Sequence, residues 1–241
     1  MRDSGCCPAY FINRPMEWEA NEDMGSFLSN DSWFGKLMNK VWIVICTNIL
    51  FCVCSLPIFT FGASFTAMYH VLFKTFRLHW EVSPFKEFFK GFKNNFKQST
   101  ISWLIEILLI LVVYADVQLC EQAGGSLIVV QYLLYGIFAA ILILTLYYYP
   151  TMACFNGSMG ALLKDSVYFA IHKPLYLLII LAVTVIPQMY TYADPDMYAL
   201  YGFFWVTCGY ALIALLCAWL LLKEFTPYLP EIDDITQIRP D

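Results

Sequence analysis

The sequence predicts an all-α, polytopic integral membrane helical bundle of about six spans. Three observations carry that prediction. First, 60% of the residues are hydrophobic and only 14% are charged, far from the balance of a soluble domain. Second, the apolar residues gather into six runs near the roughly 20 residues that cross a bilayer. Third, the basic residues fall on one side of the alternation those runs create, as the positive-inside rule requires.

Residues 1–35 form a polar extension with Glu17, Glu19, Glu22 and Asp23. It lacks the basic-then-apolar order of a secretory signal. Met16 and Met24 are candidate true starts. "MGSFLS" at Met24 fits a myristoylation pattern but is internal to this chain. The integral membrane domain covers 36–225, and 226–241 form a tail.

The runs lie at about 38–57, 59–75, 99–118, 127–149, 174–191 and 198–222. The second is short. If it crosses and the N-terminus is cytoplasmic, the lysines and arginines from Lys36 to Arg239 all lie inside. The loops "CEQAGGS" and "YADPDM" then lie outside, with Glu121, Asp194 and Asp196 and no Lys or Arg. If the second run does not cross, five spans remain and Lys36 and Lys40 move outside. Six spans with both termini cytoplasmic fit the charges better, and a re-entrant second segment stays open. The expected location is the cell membrane, with the lipid bilayer as the first partner.

Between the second and third runs lies "SPFKEFFKGFKNNFK". Wound as a helix, Phe85, Phe88, Phe89, Phe92 and Phe96 share one face, and Lys86, Lys90, Lys93 and Lys97 share the adjoining one. Such a helix suits the inner membrane interface, with rings among acyl chains and ammonium groups at anionic headgroups. Docking to a partner protein, or packing under the bundle, would use the same pattern. A faint internal repeat places this segment over "SMGALLKDSVYFAIHK", with Lys97 aligned to Lys173. In each copy a short amphipathic helix leads into a span.

Gly62 with Thr66, and Ala63 with Ala67, put small residues at i, i+4, a spacing that lets helices approach closely. The expected neighbour is the first span, with Pro57 making the turn. His70, Lys74 and Arg77 form a row on the second run, suited to headgroups or an anionic solute. Glu106 lies about two turns into the third run, where a charge needs a partner. A lysine of the Phe/Lys helix or His70 is the expected one. Asn48 and Gln131 are intramembrane polar candidates, read first as interhelical hydrogen bonders. Tyr147–Tyr149 before Pro150 read as an interfacial aromatic belt.

Several classes find no support. The nine cysteines include no CxxC pair and sit mostly in apolar runs, and there are only three histidines, so no metal site or other cofactor is expected. The basic residues are few and carry no nucleic-acid motif. No nucleophile–base pair or Gly-rich phosphate loop points to an enzyme.

"SLPIFTFGAS", "FFKGFKNNFKQST" and "YYYP" with "MACF", following an Asn-containing span, resemble the YesL family of Gram-positive bacterial membrane proteins. The resemblance runs from about Met24 to Tyr228. It implies a domain of unknown function whose genes neighbour carbohydrate ABC transporters and glycan-degrading enzymes. An accessory or regulatory role beside a carbohydrate transporter is therefore the expected function, with a small-solute transporter or channel as the alternative. The resemblance implies no catalytic residues.

Overall fold

The computed structural model describes residues 33–78, 80–122 and 128–229. The questions of the true start and the acidic extension lie outside them. Two compact units are distinguished, residues 1–42 and 43–241, and every candidate site residue lies in the second. Among the described residues all regular structure is helical. The order is α1 Trp33–Cys54, a 3-10 turn Ile58–Thr60, α2 Phe61–Arg77, α3 Pro84–Gln122, α4 Ile128–Cys154, α5 Met159–His172 and α6 Pro174–Ala193. A 3-10 turn Pro195–Met197 then leads to α7 Tyr198–Phe204, a π-helical turn Trp205–Gly209, α8 Tyr210–Phe225 and a last 3-10 turn Thr226–Tyr228. Among the described residues five stretches are long and apolar enough to cross a membrane: α1, α3, α4, α6 and the run from Pro195 to Tyr228. The chain is an all-α membrane bundle.

The core gathers around α2. Eleven of its 17 residues are buried, the reverse of the lipid-facing helices, whose apolar side chains stay exposed. Ala63 and Ala67 are wholly buried, and Ala67 packs in one cluster with Phe51, Tyr69, Leu72, Phe225 and Cys217. The small residues of α2 set this position. A Cβ on Gly62 would lie 2.8 Å from the Ser99 carbonyl oxygen and 2.8 Å from Trp103 Cβ. The close seam of Gly62 and Thr66 is therefore with α3, where the sequence pointed to the first span. Thr66 seals it, with its hydroxyl 3.0 Å from Ser99 Oγ.

The Phe/Lys segment and the third apolar run form one helix of 39 residues, about 58 Å long at 1.5 Å per residue. Only the later half is apolar enough to cross, so the Phe/Lys half extends beyond it. The repeat explains the contrast with α5. There the residue after Lys173 is Pro174, and proline disfavours helical backbone in the residue before it. Lys173 accordingly sits at φ −130°, ψ 79°, ending α5 and starting α6. Gln98, the residue after Lys97 in the first copy, imposes no such break. The short helix that stands apart from its following span is α5, capped by Ser158, whose hydroxyl accepts from Ala161 N–H.

Candidate functional site

The Phe/Lys half of α3 divides its rings between two directions. Phe88 is 0% exposed and belongs to the core around α2. Phe92 is half-buried and packs on it, with ring centroids 6.3 Å apart. Phe85, Phe89 and Phe96 are 49%, 52% and 36% exposed. At 100° per residue these three project within about 40° of one another, so they form a ridge. Lys86, Lys90, Lys93 and Lys97 are all exposed and lie on the adjoining face. The five-ring stripe of the sequence is thus a two-ring anchor and a three-ring ridge.

The anchor is fixed by a contact the sequence did not announce. Gly91 admits the His70 ring, which lies 2.9–3.0 Å from where a Cβ would stand. One turn earlier, Glu87 turns inward to α2. Its Oε2 lies 2.7 Å from Lys74 Nζ and 3.6 Å from His70 Nε2. The His70 imidazole and the Lys74 ammonium hold the Glu87 carboxyl down to about 2, against burial, which raises it. At 3.6 Å the imidazole is long for a hydrogen bond, so Lys74 is the closer partner. Two members of the His70, Lys74, Arg77 row are thereby engaged within the protein. Only the position of Glu87, one residue before the buried Phe88, could have signalled this.

Glu106 finds partners other than those expected. The Thr145 hydroxyl donates to Oε1, and the Tyr149 hydroxyl donates to Oε2 at 2.8 Å. Both come from α4, so neither His70 nor a lysine serves. A second α3–α4 pair, Ser102 with Tyr148 at 2.9 Å, lies one turn away. Glu106 borders a mostly apolar groove of about 410 Å³ that also touches Leu109, Leu144, Gly160 and Leu163. Tyr147 and Tyr149 are wholly buried and Tyr148 nearly so. They line helix contacts and do not form the interfacial belt that their spacing implied.

Asn48 is wholly buried and meets the π turn. A π turn interrupts the regular helical ladder and leaves backbone groups short of partners. Asn48 Nδ2 donates to the carbonyls of Trp205 (2.9 Å) and Val206 (2.7 Å). Its Oδ1 accepts from Ala211 N–H at 2.8 Å. Gln131 lies in the first turn of α4, donating to the Tyr135 hydroxyl at 3.1 Å and towards Glu121 Oε1 at 3.4 Å. Asn48 thus joins α1 to the last run, whereas Glu106 and Gln131 both serve the α3–α4 contact at separate places along it.

Sequence reasoning missed Glu224. It is 1% exposed, and neither oxygen has a hydrogen-bond partner among the described residues. The nearby hydroxyl of Tyr147 shares that condition. Among the described residues no group of three His, Cys, Asp or Glu could hold a metal.

Residues 44–117 match the model of a family described as "Protein of unknown function, DUF624". The match takes in α2 and the Phe/Lys half of α3, the two elements that form the anchor. Comparison with curated proteins and with solved structures found no match.

Proposed function

We propose that this chain is an accessory membrane protein that docks a partner through the ridge of Phe85, Phe89 and Phe96 and the lysine row beside it. The observation that carries the reading is the exposure of three aligned rings on a helix that is otherwise anchored. Helix α3 pays for one set of phenylalanines by burial and leaves the other uncovered. A partner segment with an apolar stripe flanked by Asp or Glu would cover both features. The YesL resemblance points to the partner class, a component of carbohydrate uptake in the cell membrane, with the docking face and both termini cytoplasmic. The reading assigns no catalysis.

A small-solute transporter would need Asn48, Glu106 and Gln131 on one polar path. Asn48 is committed to the contact of α1 with the last run, while Glu106 and Gln131 engage the α3–α4 contact at separate places, Gln131 through Glu121, which favours docking over transport. In-cell crosslinking followed by purification in mild detergent tests the reading. A transporter subunit should accompany the native chain and be lost with Phe85→Ser, Phe89→Ser and Phe96→Ser combined. Recovery of the same partners by both chains would refute it.

A further inference from the structure

We propose that α1 and α2 form a re-entrant hairpin: it enters the bilayer from the side that carries the lysines, ends within the hydrocarbon, and leaves by the same side. The contacts of α2 measure its depth. From one end to the other, Lys74 meets Glu87, His70 meets Gly91, Thr66 meets Ser99, and Gly62 meets Trp103. Helix α2 thus runs antiparallel along the first half of α3 only. The turn before it is level with the same place, because Trp103 Nε1 donates to the Ile58 carbonyl at 2.7 Å. From Trp103, α3 rises about 28 Å further to Gln122. The apolar run of α3 begins at about residue 99, so a tip level with Trp103 lies about 6 Å inside that run and stops well short of the opposite face. The last helical run places the end of α1 deeper, yet still short of the opposite face. Cys52, near the end of α1, lies 3.9 Å from the Val206 carbonyl, about 13 Å along the helix from Met197.

The chemistry of the tip fits acyl chains. "SLPIFT" has no charge. Leu56, Ile58 and Phe59 are 79%, 73% and 52% exposed, so no protein surface covers them. Much of the backbone beneath them is paired internally, as hydrocarbon favours. Ser55 N–H donates to Phe51, Leu56 N–H to Val53 and Thr60 N–H to Pro57. The Thr60 hydroxyl lies within reach of the Cys54 and Pro57 carbonyls at 2.6 and 2.7 Å. Phe61 N–H and the Trp103 indole both donate to Ile58, and Pro57 has no N–H to satisfy.

The charge pattern is kept. A hairpin that enters and returns changes no orientation, so the lysines and arginines remain on one side. Four elements then cross fully: α3, α4, α6 and the run from α7 to α8. The acidic loops stay opposite.

The loops on that opposite side contain no lysine, so any amine reached from there must be an engineered one. Ser55→Lys and Asp196→Lys are each expressed alone, and intact cells are treated with a membrane-impermeant amine reagent. Peptide mass spectrometry should find Asp196→Lys modified and Ser55→Lys unmodified until detergent is added. Equal modification of both in intact cells would overturn the hairpin. A lysine at the tip can block insertion, so a second variant keeps the tip apolar. Phe59 is replaced by the photocrosslinking analogue p-benzoylphenylalanine. Irradiation in membranes should give adducts to phospholipid acyl chains, and their absence would overturn the proposal.

Discussion

Replacing Asn48 by leucine keeps the branched shape and removes the Asn48 hydrogen bonds to the π turn and to Ala211, leaving only the long Cys52 Sγ contact to Val206. Three backbone groups lose a partner: the Trp205 and Val206 carbonyls and the Ala211 N–H. Interhelical hydrogen bonds in membranes average about 0.6 kcal/mol and reach about 1.7. A buried group left unsatisfied costs about 1–3 kcal/mol. The carbonyls retain second lone pairs, so the lower values apply to them and the fuller cost to the N–H. Asn48→Leu should therefore destabilise the chain by about 2–4 kcal/mol. Asn48→Asp should be worse than Asn48→Leu, because its carboxylate would face two carbonyl oxygens. Unfolding by SDS titration in mixed micelles measures both, and hydrogen exchange over 203–213 locates the effect. A change within about 0.5 kcal/mol for Asn48→Leu, a surface-like value, with native exchange at Ala211, would refute the claim that this side chain holds the π turn.

Other expectations follow from the α2–α3 contact. Gly62→Ala should lower stability by at least about 1 kcal/mol, since its Cβ would meet the Ser99 carbonyl and Trp103. Gly136→Ala, whose Cβ meets nothing within 4 Å, should be neutral or stabilising in the same unfolding assay. Phe88→Ala should cost about 3–5 kcal/mol through the cavity it leaves, whereas Phe89→Ala should leave the unfolding midpoint unchanged. The Glu87 carboxyl is held down to about 2 in the fold and has an ordinary value of about 4.3 when free. Its contribution is present above about 4.3 and is lost as pH falls towards 2. Acid titration of Glu87→Gln should show a smaller drop over that interval than the native chain.

Composition and charge placement made the membrane class legible, and they did so through one-dimensional properties. The runs around 38–57 and 198–222 needed only apolar length to be found. The π turn inside the last run left no such mark, because Asn48 and its three partners lie about 160 residues apart in sequence. The Phe/Lys periodicity was visible, but the division into anchor and ridge was not. Phe88 and Phe89 are adjacent and alike in composition, and only the small residues of α2 decide which one is buried. Glu106 was recognisable as a charge needing partners. Thr145 and Tyr149 were hidden in a run whose Tyr147–Tyr149 cluster looked interfacial. The Gly62–Thr66 seam belongs to α3 and not to α1, and since both are chain neighbours of α2 no local signal marks Ser99 as its other half.

The most direct test of the docking account is site-specific photocrosslinking from the ridge. A p-benzoylphenylalanine is placed at Phe89 and, separately, at Ile171, which is 73% exposed on α5. Both chains are irradiated in living cells of the native host. The account predicts a discrete adduct between position 89 and a transporter subunit, absent at position 171 and lost when Lys86, Lys90 and Lys93 are changed to Glu. Lipid adducts alone at position 89, or the same protein adduct at both positions, would contradict it.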